Sequence, residues 1–432
     1  MESVKQQAYL GGCASRKTVP FTSYDMGWVV LCIGMAIGSG VIFMPIQMGV
    51  KGVWVSLISL LIAYPAVHFM QEIYIRSLSK SKACEDYNNI ISQYIGRNWG
   101  IVLSALYFLI MLNGMLSYSS AIVKDSASYL QTFHVTSGSV ANSPWYIFGF
   151  IAVMVAIASR GERFLFKVSG PMIVVKISIV MFLGLSMIPY WNINNLGLNV
   201  FPGFSTLLVD VLLTLPFAMF SIFYGQILNP MNVAFRRIEK DPEVATYRAL
   251  RVHRVALVIL LIGVGFYALS FMLSINHQQA TEAVSAKISA LALAAQVMPG
   301  DFVRVLSTVL NIVAIFTAFF GIYLGFQDAL KGILSNVMGR FAHKAQGFQR
   351  IQGCVVAGTS ITLMGAWVAF GVSAMLLIQI TVPIYGLVAC IIPAYLVLKV
   401  PVLQEFKGFK NTYTMVFGIA LLIVPLMIFV EN

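Results

Sequence analysis

Apolar runs of about 20 residues recur along almost the whole chain, parted by short polar stretches. A helical run of that length matches the hydrocarbon thickness of a bilayer. The strict apolar–polar alternation of barrel strands is absent. The pattern predicts about eleven spans, near residues 26–49, 53–78, 99–131, 144–160, 165–189, 205–235, 249–275, 302–332, 351–371, 374–398 and 412–430. The third, sixth and eighth are long enough to tilt or to extend beyond the bilayer. The expected fold class is therefore an all-α polytopic membrane protein. Its expected divisions are a polar tail over 1–25, a ten-helix core over 26–398, and a loop with an eleventh helix over 399–432.

Composition agrees. Of 432 residues, 59% are hydrophobic and only 10% are charged, against about 25% charged in soluble domains. A net charge of +12 could suggest nucleic acid, but its distribution reads as topology. Taking the spans as alternating, 23 of the 28 Lys and Arg fall on one side, 4 on the other, and Lys176 inside a span. The positive-inside rule then puts the N-terminus in the cytoplasm and, with eleven spans, the C-terminus outside. The polar first 25 residues and long first run predict no cleavable signal. Two connections exceed a turn. Residues 79–98 carry a stretch, Tyr87–Ile95, expected as an interfacial helix. Residues 276–301 contain ATEAVSAKISALALAAQ, expected as one partly buried external helix. Cys13, Cys32, Cys84, Cys354 and Cys390 form no CxxC or Cys/His cluster, so free thiols are expected and no metal.

Two spans carry their own helix breakers. Span one reads GWVVLCIGMAIGSGVIFMPIQMGV, with Gly34, Gly38, Ser39 and Gly40 at its middle. Span six holds Pro216, Ser221–Tyr224, Gly225 and Pro230. Backbone groups freed inside a bilayer have no water to satisfy them, so a break there needs a purpose. Interrupted helices in corresponding positions of two five-helix halves point to an inverted-repeat carrier. The free N–H groups and positive dipole end of a half-helix suit an anionic ligand, such as a small solute with a carboxylate. The plainer alternative is that Gly and Pro are simply frequent in membrane helices.

GMAIGSGVIFMPIQMGVKG, LPFAMFSIFYGQILNPMNVAFRR, AFFGIYLGFQDALKGI and SRGERFLFKVSGPMIVVKISIVMFLGLSMIPYWN resemble the hydroxy and aromatic amino acid permease family. The likeness runs over roughly residues 24–430 and is greatest to the serine/threonine branch, especially its enterobacterial members. It implies an inner-membrane, cation-coupled importer of amino acids. The implied architecture is the LeuT-like superfold, a five-plus-five inverted repeat plus one helix, with helices one and six broken.

On that reading the substrate carboxylate meets backbone N–H groups of Gly38, Ser39 and Gly40, where glycine admits close approach. The substrate ammonium meets carbonyls around Ala218–Ser221. Asn113, Tyr118, Ser221, Tyr224, Thr317 and Phe320 are candidates for the side-chain pocket. Buried hydroxyls and amides suit a small hydroxyl or thiol substrate, although each could equally be an interhelical hydrogen bond. Lys176 is the sharpest residue, because a lysine at mid-span is costly and a functional role is the default. The resemblance implies that it stands in the place of a sodium ion between spans one, five and eight and couples transport to protons. Some relatives carry their lysine on span eight, where this chain has Thr317, so sodium remains the alternative coupling ion. The plainer reading of Lys176 is a structural lysine paired with carbonyls.

Other charges read more simply. Asp210 could cap a half-helix or form an outer gate. Asp328 and Lys331 suit a local pair. Glu162 suits loop electrostatics beside Arg160 and Arg163. His68 and Glu72 share a face, as a solvated pair or a proton relay. Arg236 and Arg237 suit topology and lipid. ATP use is disfavoured by the lack of a GxxxxGK[ST] motif. A membrane-embedded enzyme would need clustered acids or a Ser/His pair, and a channel a recognisable filter. The expected partners are a small amino acid and the bilayer, with no nucleic acid and no cofactor beyond the coupling ion. Serine, threonine or cysteine is the favoured substrate and tryptophan or tyrosine the alternative. The sequence leaves the oligomeric state open.

Overall fold

The computed structural model describes residues 19–80, 96–160, 162–298, 300–342 and 348–431. The region Tyr87–Ile95, and the side chains of Glu162, Arg163, Asp328 and Lys331, lie outside what is described. Span one is two helices, α1 (Ser23–Ala36) and α2 (Ser39–Lys51), bent by 48° at Ile37–Gly38. The chain continues through α3 (Val53–Ser79), α4 (Arg97–Thr132), α5 (Pro144–Ala158) and α6 (Glu162–Ser186). Span six is α7 (Phe204–Phe220) and α8 (Gly225–Ile238), interrupted at residues 221–224 but without a sharp bend. Then come α9 (Pro242–Ser274), two short helices α10 (His277–Ala286) and α11 (Ala290–Val297), and the long α12 (Asp301–Ala342). The chain closes with α13 (Phe348–Ala369), α14 (Ala374–Tyr385), α15 (Ile392–Lys399) and α16 (Phe409–Glu431).

Among the described residues seven helices are long and apolar enough to cross a membrane, or eight with the bent pair α1–α2 counted as one. Three shorter apolar stretches accompany them, Pro144–Ala158, Val174–Tyr190 and Gly353–Ala369. The chain is thus an all-helical multi-pass membrane protein. Large apolar side chains such as Leu61, Val153, Ile262 and Phe429 stand exposed on the outside. Water would penalise such a surface, whereas lipid accepts it.

Three elements depart from the sequence reading, each for a local reason. The seventh expected span begins as α9 at Pro242, not near 249. Asp241 caps it through a bond from the Glu243 N–H, and proline suits the first helical position. The segment over 276–301 is two helices, because Lys287 turns left-handed (φ 58°) and Ser289 caps a new start. The tenth expected span, α14 and α15, widens between them into a π-turn over Gly386–Ile391 where it crosses α16. A Cβ on Gly386 would lie 2.9 Å from the Gly418 carbonyl oxygen, so the two backbones nearly touch. With lipid on the outside, association rests on such close packing rather than on the hydrophobic effect.

A buried ion pair anchors the start of α1. Thr22 and Asp25 form a reciprocal cap. The Asp25 carboxylate also accepts Nε and Nη2 of Arg248 on α9, at 3.0 and 2.8 Å, while Arg248 Nη1 reaches Glu239 at 2.6 Å. Removing Asp25 strips Arg248 of two charge-assisted bonds and leaves it Glu239 as its one carboxylate. Asp25→Ala is expected to cost about 1.5–3 kcal/mol, read as a fall in the melting temperature of detergent-purified protein. An unchanged melting curve would contradict this.

Candidate functional site

The two interruptions touch. A Cβ built on Gly40 would lie 2.1 Å from the Phe220 carbon and the Ser221 nitrogen. Only a residue without a side chain admits this approach. The first turn of α2 is thereby laid against the last turn of α7, with both sets of unpaired helix-end groups in one place.

Beside this contact lies a cavity of about 60 Å³. Gly38, Asn113 and Tyr118 line it, with Met35, Ser117, Phe220, Phe223, Gln226 and Tyr385. A second cavity of about 340 Å³ shares Phe223, Gln226 and Tyr385 with the first and extends between α3, α4, α8 and the α14 end, past Gln71, Tyr107 and Asn229. Phe220, Phe223 and Tyr385 meet edge to face, with ring centroids 4.7–6.2 Å apart, and so form an aromatic partition where the cavities join. On the other side of the break, Lys51 at the end of α2 binds Asp210 of α7 at 2.6 Å.

The remaining sequence candidates divide. The Gly38 N–H already donates to the Ala36 carbonyl at 2.8 Å. Ser39 opens α2, so its N–H and that of Gly40 have no carbonyl of their own helix to bond. Ala218 and Ser221 are fully buried, do not line the cavity, and are bonded to each other, Ser221 Oγ donating to the Ala218 carbonyl at 2.7 Å. Phe320 packs against Phe316 and Phe319.

Tyr224 turns away from the cavity. Its hydroxyl sits 2.7 Å from Nδ1 of His253 and 3.0 Å from the His253 carbonyl. His253 Nε2 lies 2.9 Å from Nδ1 of His68, with the two ring planes nearly parallel. Glu72 is buried and held by Arg76 and Lys410, so the pair read as solvated is an internal network.

Lys176 is fully enclosed, and all three of its ammonium hydrogens have acceptors. Nζ lies 2.6 Å from the Gly34 carbonyl, 3.0 Å from the Ile37 carbonyl and 2.9 Å from Thr317 Oγ1. The two carbonyls are orphans of the α1 C-terminus, the negative end of that half-helix. Thr317 therefore belongs to the lysine rather than to the cavity, and its own hydroxyl is shared between the Val313 and Ala314 carbonyls. A lysine from α6 thus joins α1 to α12 beside the break.

Sequence reasoning missed Ser117, although its spacing of four from Asn113 puts both on one helix face. It also missed Gln226 and Tyr385, which no local pattern marks.

Interrupted helices meeting beside a small internal cavity, within a bundle of membrane-length helices, define a multi-pass membrane protein of the solute-carrier kind. Its relatives carry matching names. The chain is 44% identical over 420 residues to the "Serine transporter" of Escherichia coli O157:H7, covering 96% of this chain and 94% of that protein. It is 44% identical, over the same shares, to the "Probable serine transporter" of Escherichia coli K12. It is 26% identical over 420 residues to the "Threonine/serine transporter TdcC" of Edwardsiella piscicida, covering 92% and 93%. No family model matches the chain. The chain belongs to this serine/threonine permease branch, a family of transporters rather than enzymes.

Proposed function

We propose that this chain imports serine, threonine or a similarly small neutral amino acid by proton symport. The observation that carries the coupling is the enclosed Lys176 ammonium on the Gly34 and Ile37 carbonyls. A fixed, titratable cation there can bind the α1 end when charged and release it when neutral. That end adjoins the N–H groups of Ser39 and Gly40, which suit the substrate carboxylate. Carbonyls at the end of α7, near Ala218, suit its ammonium. Asn113 and Tyr118 offer polar groups to a hydroxyl side chain. The small volume beside Gly38 favours serine or threonine over an indole or phenol.

The three shorter apolar stretches complete eleven spans on this reading, arranged as a five-plus-five inverted repeat over 26–398 plus one helix. The N-terminus lies in the cytoplasm of a bacterial cell, the bilayer is the inner membrane, and the C-terminus is periplasmic. The larger cavity, which runs past Gln71 and Tyr74 of α3 and Asn229 and Pro230 of α8, then opens inward, while Lys51 and Asp210 close the outer side.

Uptake of labelled serine into vesicles, with every other amino acid as competitor, tests this. Threonine and cysteine should compete, a protonophore should abolish accumulation, and replacing sodium should leave it unchanged. Competition led by tryptophan, or accumulation that follows sodium alone, would overturn the reading.

A further inference from the structure

A second ionisable group lies apart from the helix breaks. Asp125 on α4 is 2% exposed, within a membrane-length helix. Among the described residues no cation reaches it. Its Oδ1 accepts the Ser289 N–H at 3.0 Å, and its Oδ2 lies 2.6 Å from Nδ2 of Asn311 on α12. The charged neighbours are engaged elsewhere. Lys124 binds the Ala141 carbonyl and Asn142, Lys287 the Gly371 carbonyl, Arg304 binds Asp301, and Lys51 of α2 binds Asp210. On α10, Glu282 is paired with Gln278 and His277 with the Gly49 carbonyl. The other titratable groups facing the site are the phenols Tyr129 and, from α9, Tyr267. A buried carboxylate left with neutral partners is expensive, and carriers keep such groups chiefly where they bind something positive.

The geometry around Asn311 says what. Its Nδ2 position lies 2.6 Å from Asp125 Oδ2, 2.6 Å from Tyr129 Oη and 3.2 Å from Ser289 Oγ. Three acceptors thus converge on a group with two hydrogens. The amide's other atom, Oδ1, is buried with no partner. Amide oxygen and nitrogen have the same shape and are assigned by their bonds. Turned by half a turn, the amide would present that oxygen to a carboxylic acid and to the phenol. Unturned, it presents N–H to a carboxylate. The same heavy atoms accommodate two states that differ by one proton.

We propose that Asp125 is a proton-binding site of this carrier, with Asn311 as the switchable partner of its acid and carboxylate forms. The proton comes from water, forms an O–H bond on Oδ2, and leaves again by breaking that bond, with no change of oxidation state. Oδ1 holds the N–H that begins α11, so proton binding weakens the grip of the bundle on that short helix. The site deepens the symport reading but stands on its own atoms.

Infrared difference spectroscopy of the purified, lipid-reconstituted protein without substrate tests it, as pH is lowered through the neutral range. A carbonyl band of a protonated carboxyl should grow, vanish in Asp125→Asn and shift in Asn311→Ala. A band unaltered in both variants would overturn the proposal. So would a band that follows added sodium at fixed pH, which would make the site a metal-cation site. Because no transport is measured, failure of the symport reading leaves this result intact. In vesicles, the several-fold rise of wild-type serine uptake with external acidity should flatten in Asp125→Asn while serine exchange persists. Loss of exchange together with uptake would mark a merely structural residue.

Discussion

Gly40→Ala should abolish uptake, at least tenfold below wild type in vesicles carrying equal amounts of protein. The added methyl would sit 2.1 Å from two backbone atoms of α7, the Phe220 carbon and the Ser221 nitrogen. Backbone at a helix end cannot swing aside as a side chain can. The two half-helices must part, and overpacking of that kind costs about 1–3 kcal/mol and sometimes more. Parting them also separates the Ser39 and Gly40 N–H groups from the α7 carbonyls, so transport should fall further than stability. Gly38→Ala is the control. Its Cβ meets the Tyr118 hydroxyl at 3.0 Å, the movable tip of a side chain, and the variant should fold and retain measurable uptake with weakened substrate affinity. Wild-type transport and melting temperature in Gly40→Ala would contradict the contact between the breaks.

Much of this was legible because membrane burial exaggerates the meaning of a few residues. Glycines 34, 38 and 40 and Pro216 stand out against an apolar background, and the helices do break at Ile37–Gly38 and Ser221–Tyr224. Lys176 stands out for the same reason, and its partners Gly34, Ile37 and Thr317 lie on the spans expected for it. What escaped were relations between distant segments. Asp125 carries no local mark in the sequence, and only its burial against Ser289 and Asn311 singles it out. His253 carries no local mark in the sequence, and it is the packing of α9 beside α3 that brings it to His68. Gly40 stands out in sequence as a helix breaker, but the packing of α7 into its side-chain position is a relation only the fold shows. Turn chemistry was underread where one residue decided it, as Lys287 and Ser289 did in splitting the helix expected within 276–301.

Lys176→Met should uncouple the carrier. Methionine keeps much of the length and apolar stem while removing the three donors that hold Gly34, Ile37 and Thr317. With one proton moved per substrate, an imposed gradient of about one pH unit is worth about 1.4 kcal/mol and drives about tenfold accumulation of serine. In Lys176→Met that ratio should fall to about one. Exchange of internal for external serine needs no net proton movement and should persist, because Ser39, Gly40 and the cavity lining are untouched. Thr317→Val removes one of the three acceptors while leaving the lysine. It should lower the accumulation ratio only in part, since the two α1 carbonyls still hold the ammonium. The pair of variants separates coupling from structure. A lysine that merely braced α1 would, when removed, depress exchange and accumulation together and lower the melting temperature. A coupling lysine depresses accumulation alone. If Lys176→Met still concentrates serine about tenfold under the same gradient, the proton is carried elsewhere, and the buried Asp125 becomes the first residue to substitute in its place.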